Sequence, residues 1–218
     1  MTQKNKILDK PFAKELALNL LEINAVMLRP EKPFTWASGW NSPIYCDNRL
    51  TLRFPEIRKK VSKAFVHIIE SEFPDVEVIT GTATAGIPHA AWVAGNLDKP
   101  LAYVRSKAKA YGLGNQIEGG VDKGQKTVVI EDLVSTGGSA MSVIEALKFI
   151  GAEVQGVLTL FTYGFDKANN RFAKAGVPVY ALTDYSTLIT EAVENGYIES
   201  KSLDTLNRWR ANPERWPD

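Results

Sequence analysis

The sequence predicts an α/β fold, with helices flanking a central, mainly parallel sheet. Three observations carry that expectation. Short apolar runs of strand composition recur at residues 76–79, 101–104, 126–130, 154–161 and 177–182, and helical patterns alternate with strands along the chain. The run into Ile130 is nearly continuous in apolar residues, as a strand covered on both faces of a parallel sheet would be. Three loops of small or charged residues, 81–86, 105–119 and 131–139, each follow a strand, and ligands of open α/β sheets sit beyond the carboxyl ends of strands.

Taken in order, residues 9–28 read as a first helix. Phe12, Leu16, Leu20 and Ile23 recur at spacings of four, four and three, and Pro11 suits a first turn. Residues 32–53 are rich in Trp, Ser, Gly, Asn and Pro and read as short extended pieces. A second helix begins at Pro55, with Ile57, Val61, Phe65 and Ile68 on its inner face. The strand at 76–79 leads through Gly81 to Gly86 into a helix from about Ile87. After the strand at 126–130, Ala140, Val143, Ile144 and Leu147 share one side of a helix that stops near Gly151. Strands at 154–161 and 177–182 follow, and 186–212 reads as helical. No internal repeat or low-complexity segment interrupts the pattern.

Composition narrows the function. A chain of 218 residues favours one domain, 1–218, with a sizeable core. A net charge of +1 gives no support to a nucleic-acid or membrane-surface partner. Cys46 is the single cysteine and His67 and His89 are the only histidines, which argues against a disulfide framework and against a Cys/His zinc site. No apolar run approaches the roughly 18 residues of a bilayer span. Residues 1–10 are polar and lack the apolar core of a signal peptide, so a cytoplasmic protein is expected.

The chemistry concentrates at 131–139. Glu131 and Asp132 end a buried strand, where adjacent carboxylates repel unless a cation or hydroxyl donors intervene. Ribose hydroxyls are such donors. Ser135, Thr136, Gly137 and Gly138 carry little bulk, so their backbone N–H groups can approach an anion at the start of the next helix. A plainer reading is a capped strand-to-helix turn with solvated acids. The 81–86 loop has Gly-x-x-x-x-Gly spacing, but Ile87-Pro88 replaces the Lys-Ser/Thr of a nucleoside-triphosphate loop. Its glycines still permit close approach of an anion, or it is simply a connection. The 105–119 segment sets Arg105, Lys107 and Lys109 ahead of several glycines, a pattern shared by a loop that closes over an anion and by a solvated hairpin.

The 131–139 stretch resembles the signature of the type I phosphoribosyltransferases, which bind phosphoribosyl diphosphate (PRPP). Further stretches narrow the resemblance to the orotate phosphoribosyltransferase branch: Phe34-Thr35-Trp36-Ala37-Ser38-Gly39, Ser42-Pro43-Ile44-Tyr45-Cys46-Asp47-Asn48-Arg49, Gly81-Thr82-Ala83-Thr84-Ala85-Gly86-Ile87-Pro88, and the segment from Tyr103 to Gly119. Together they cover most of 34–140.

The resemblance implies the type I phosphoribosyltransferase fold with a small N-terminal hood, formed mainly by 30–53 plus C-terminal elements. It implies PRPP contacts from Arg105, Lys109, Tyr111, Glu131, Asp132, Leu133, Val134, Ser135, Thr136, Gly137, Gly138 and Ser139, and a pyrophosphate loop of Thr82, Ala83, Thr84, Ala85 and Gly86. Arg105, Lys109 and Asp132 are the implied catalytic residues, and Ser135, Tyr45 and Cys46 the implied orotate contacts. It further implies Mg²⁺ carried by PRPP, with no direct protein ligand assigned, and a homodimer in which 105–119 reaches the partner's site. The chain departs from the family pattern at several positions. Tyr111 stands where many members have His, Ala37 and Ala85 where some have Lys, and Phe161-Thr162-Tyr163-Gly164 lacks an Arg that some relatives direct at the orotate carboxylate. A phosphoribosyltransferase for another base and a PRPP-sensing regulator are the alternatives.

Overall fold

A computed structural model describes residues 5–36, 39–105 and 116–216. Its first helix, α1 (Lys10–Glu22), is capped by Asp9, whose carboxylate accepts from Phe12 N at 2.9 Å, with a proline in the first turn. The helix is shorter than the apolar spacing predicts. Asn24 takes a left-handed conformation (φ 56°) and reverses the chain. Val26–Leu28 then forms β1, antiparallel to β4 (Ile44–Cys46), with Met27 opposite Tyr45. The apolar pattern runs on because the strand feeds the same core as the helix. Between β1 and β4, β2 (Phe34–Thr35) pairs with β3 (Asn41–Ser42), and a 3-10 helix (Asn48–Arg53) leads into α2 (Pro55–Glu72).

The remaining strands are β5 (Val78–Thr82), β6 (Leu101–Val104), β7 (Ile117–Glu118), β8 (Lys126–Val134), β9 (Glu153–Thr162) and β10 (Val179–Asp184). They form a six-stranded sheet in the order β10-β9-β8-β5-β6-β7. Every neighbouring pair is parallel except β6 with β7. The expected mainly parallel sheet is therefore present. β5 and β10 begin and end later than their apolar runs, leaving 76–77 and 177–178 outside the strands, β9 is longer at both ends, and β8 runs on past Ile130. β5 takes in Gly81 and Thr82, and β8 continues through Glu131 and Asp132 because β9 pairs with it as far as Val134 opposite Thr162.

Period-2 alternation divides the sheet between two cores. Val128, Ile130, Leu158, Leu160, Tyr180 and Leu182 face the larger one, shared with α1, α2 and α3 (Gly86–Leu97) and with α6 (Tyr185–Glu194) and α7 (Leu203–Ala211). Val129, Val157 and Val179 face the smaller one, covered by α4 (Gly138–Phe149) and α5 (Asp166–Ala175). α5 has no counterpart in the apolar pattern, since only Ala168, Asn169 and Phe172 of its residues are buried. The C-terminal helical stretch divides at Gly196, where φ is 75°.

His89 lies buried on α3 between the rings of Phe65 (6.3 Å) and Trp92 (5.8 Å), and neither ring nitrogen finds a hydrogen-bond partner among the described residues. Burial lowers its pKa from 6.5 to about 4. Between those values the unfolded chain binds a proton that the folded chain refuses. Its contribution is constant above pH 6.5, and stability falls as pH drops from 6.5 towards 4. Urea unfolding at pH 7 and pH 5 should show the wild type losing about 2 kcal/mol more than His89→Leu over that interval. Equal losses would remove the imidazole as the cause.

Candidate active site

β5 and β8 are neighbours, but the chain leaves them in opposite directions: from β5 to β6 on one side and from β8 to β9 on the other. Their following loops diverge, and in open parallel sheets ligands bind at such a point, beyond the carboxyl ends of the two strands. The loop after β5 is short. Ala83 N donates to the Val104 carbonyl at 3.0 Å, which ties the loop to the end of β6, and the Ala83–Thr84 peptide is cis. Gly86 opens α3, and a Cβ there would collide with the Ile130 carbonyl oxygen. A glycine is thus required for the α3 N-terminus to sit against β8, one residue before Glu131.

Glu131 is 4% exposed and Asp132 half-buried. Asp132 N donates to Glu131 Oε1 at 3.1 Å. Glu131 Oε2 and the Thr82 hydroxyl are buried without a well-formed hydrogen bond among the described residues, although the two side chains lie close enough to interact. Burial, and then the charge of Asp132, push the Glu131 carboxyl well above the usual range. Burial also raises Asp132, against the lowering effects of its hydrogen bond with Glu131 and of Arg49. An orphaned oxygen beside two reluctant carboxylates can be satisfied by ligand hydroxyls or a hard cation. Among the described residues no group of three or more His, Cys, Asp or Glu could hold a metal alone. A cation here would share its shell with ligand oxygens.

Past Val134 the chain turns through Ser135, Thr136 and Gly137 into α4. Gly137 has φ 76°, and a Cβ on it would sit 3.0 Å from the Phe172 ring, so a side chain is excluded by conformation and by space. The first turn of α4 offers its N–H groups and the positive end of the helix dipole. Arg171 on α5 steadies the loop, its Nη1 donating to the Thr136 carbonyl at 2.8 Å. Arg171 lies in a polar segment without motif, so the sequence offers no signal for it.

The third wall comes from β4 and the 3-10 helix. Asn48 is buried, and its Nδ2 donates to the Asp132 carbonyl at 2.7 Å. Cys46 Sγ lies 3.2 Å from Asn48 Oδ1 and donates to it. Burial, then the charge of Asp132, push this thiol well up, so it acts as a neutral donor. Tyr45, 39% exposed beside Phe34, points to the other side of β4 from Cys46, since adjacent strand residues alternate. Arg105 follows β6. Its Nε lies 3.4 Å from Glu118 Oε1 and its N donates to the Gln116 carbonyl at 3.0 Å. The fold therefore gathers 82–86, Arg105, 131–139 and the Cys46–Asn48 segment at the carboxyl ends of β5, β6 and β8. Lys109 and Tyr111 lie outside the described residues. Asn48 was absent from the sequence expectations, although it stands within the 42–49 stretch.

Comparison with known proteins follows the same lines. Residues 49–179 match the model of the phosphoribosyl transferase domain family. The chain is 58% identical over 210 residues to an orotate phosphoribosyltransferase of Bacillus subtilis, covering 96% of this chain and 95% of the relative. Its structure is similar to the crystal structure of orotate phosphoribosyltransferase from Aeropyrum pernix, with TM-score 0.72 and 30% identity over 84% of this chain and 99% of that one. It is also similar to a UMP synthase of Leishmania donovani, with TM-score 0.77 and 29% identity over 92% of this chain and 42% of that longer one.

The seat of α3 against β8 can be tested by two glycines of one helix. Gly86→Ala should lower stability in urea unfolding by about 1–3 kcal/mol, the usual cost of overpacking. Gly95, with open space at its Cβ position, should instead gain roughly 0.5–1 kcal/mol on substitution by Ala. Equal effects at both positions would contradict the close approach at Ile130.

Proposed function

The chain belongs to the orotate phosphoribosyltransferase family, and from that premise we propose how its own residues carry the family's reaction. The enzyme is a pentosyltransferase. It moves the 5-phosphoribosyl group from PRPP to orotate, giving orotidine 5′-monophosphate and pyrophosphate. At ribose C1 the bond to the pyrophosphate oxygen breaks and a bond to an orotate ring nitrogen forms, while that nitrogen gives up its proton. No covalent enzyme intermediate is required.

The observation that carries the reading is the half-satisfied carboxylate pair, followed at once by an amide-rich loop at a helix start. In the proposal Glu131 and Asp132 accept hydrogen bonds from the ribose 2′- and 3′-hydroxyls, these donors offset the burial that otherwise opposes ionisation of the pair, and the resulting charge favours the cationic character that C1 gains as the leaving group departs. The N–H groups of 135–139, with Leu133 and Val134 leading into them, hold the 5′-phosphate. The loop 82–86 takes pyrophosphate, and Arg105 and Lys109 meet its developing charge. Ser135 and Cys46 border the orotate, Tyr45 lies on the opposite face of β4 and does not share that side, and Tyr111 donates to a phosphate oxygen. Mg²⁺ fits this site as a shared ligand. The orphaned Glu131 oxygen and Asp132 are hard donors, and the rest of a magnesium shell would come from PRPP and water. When bound, Mg²⁺ supplies neutralisation of the diphosphate.

The proposal further takes 1–218 as one domain with 30–53 and C-terminal elements as its hood, working in the cytoplasm as a homodimer with shared sites in pyrimidine synthesis. Among the described residues no helix is long and apolar enough to cross a membrane.

Loss of orotate absorbance that requires both PRPP and Mg²⁺, with uracil and hypoxanthine inert, tests the assignment of the acceptor. Lys109→Ala should lower kcat by about 100-fold or more with the fold intact, as removal of a transition-state contact does. Unchanged turnover would remove Lys109 from the mechanism. Mixing inactive Lys109→Ala and Asp132→Ala subunits should restore part of the activity through hybrid dimers, and none should return if each site is built from a single chain.

A further inference from the structure

Orotate is distinguished from uracil by a carboxylate. A site that selects it needs a fixed cation, and a planar guanidinium matches a carboxylate best. A cavity of about 490 Å³ opens beside the phosphate loop, lined among others by Trp40 of the hood, Thr136, Gly164, Phe165 and Arg210. We propose that Arg210, on the C-terminal helix α7, receives the orotate carboxylate in this cavity and so sets the acceptor specificity. The inference rests on orotate being the acceptor.

Arg210 is half-buried and held in place. Its Nε donates to the Tyr163 carbonyl at 2.9 Å and its Nη2 to the Gly164 carbonyl at 3.3 Å. These two carbonyls orient the guanidinium without cancelling its charge, and Arg210 forms no ion pair among the described residues. The other cation on the cavity wall, Lys167, is already paired with Glu214 at 2.7 Å. The remaining acid there, Asp166, stands in the first turn of α5, where the helix dipole favours a carboxylate.

Gly164 shows that the backbone makes room for this guanidinium. A Cβ on residue 164 would lie 2.9 Å from Arg210 Nη2, and φ there is 65°. The arginine therefore occupies the space that a side chain at the end of β9 would take. One link ties that space to the cradle and another ties it to the hood. Tyr163 N donates to the Val134 carbonyl at 3.1 Å, and the neighbouring Trp209 Nε1 donates to the Asn41 carbonyl at 3.2 Å, one residue from Trp40. A charge fixed by backbone acceptors, beside an aromatic wall and next to the phosphate loop, is suited to a flat acidic ring.

The test compares Arg210→Gln and Arg210→Lys with the wild type, using purified enzyme, PRPP, Mg²⁺ and orotate. The glutamine keeps an amide donor for the carbonyls but no charge. Circular dichroism and thermal unfolding establish that each variant is folded. Arg210→Gln should raise the KM for orotate roughly 10- to 100-fold, the value of a lost charge-assisted hydrogen bond, while the KM for PRPP changes less than about twofold. Arg210→Lys should recover part of the loss. An unchanged orotate KM in a folded glutamine variant overturns the proposal. So does a parallel rise in both KM values with no recovery by lysine, which would mark Arg210 as structural only. Wild-type enzyme that fails to consume orotate would overturn the acceptor assignment itself.

Discussion

Two adjacent carboxylates at the end of a strand buried on both faces set the terms for this site. Glu131 and Asp132 cannot both ionise comfortably where water is scarce, and the fold supplies only part of what they need: one backbone N–H to Glu131 Oε1, and no well-formed hydrogen bond at Oε2 among the described residues. In the proposed function this deficit is the feature that recruits the ligand. A site that satisfied the pair internally would have no affinity left for ribose hydroxyls, whereas an unsatisfied pair favours any ligand that brings donors or a hard cation. Folding must therefore offset the cost of the pair elsewhere, and the large aromatic and aliphatic core packed against β8 is where that compensation lies.

The geometry around the pair follows from strand order. Because β5 and β8 are adjacent while their successors lie on opposite sides, each strand presents its loop to the same gap. The gap stays narrow because Gly86 lets α3 rest on the Ile130 carbonyl. It is closed from the third side by Asn48, which reaches across the chain to the Asp132 carbonyl. A shift of α3 away from β8 would separate the 82–86 loop from the carboxylates, so packing at one backbone position controls the proposed distance between pyrophosphate and ribose.

Much of this was legible from local pattern. The apolar run at 126–130, the acidic pair and the small-residue loop follow one another in sequence, so the strand, cradle and helix could be read together. What was not legible depends on contacts between distant segments. The end of α1 is set by Asn24 and by the pairing of β1 with β4, neither of which interrupts the apolar spacing. β8 extends through its two acids because β9 lies beside them, against the low strand preference of Asp and Glu. α5 escapes periodicity because few of its residues are buried, yet it carries Arg171 to the phosphate loop. Of the proposed catalytic residues, Lys109 was legible from the family pattern alone.

The contrast between local and distant contacts also bears on how the site divides its work. The proposed ribose-phosphate cradle is built from consecutive residues of one strand-loop-helix unit, so its geometry is nearly inherited from the sheet. The proposed acceptor side is assembled from the hood, the end of β9 and α7, joined by Trp36, Tyr163, Phe165 and Trp209, whose rings lie 5.2–5.7 Å apart along the chain of contacts. Asn48 to Asp132 and Tyr163 to Val134 are among the hydrogen bonds that join the two halves, and the β8–β9 ladder runs beside them as far as Val134 opposite Thr162. The same division of work explains why a cation for the acceptor can be delivered from the far end of the chain. Once the aromatic cluster has fixed α7 against β9, the cost of ordering Arg210 has already been met by packing, and its position depends on tertiary closure more than on any neighbouring sequence.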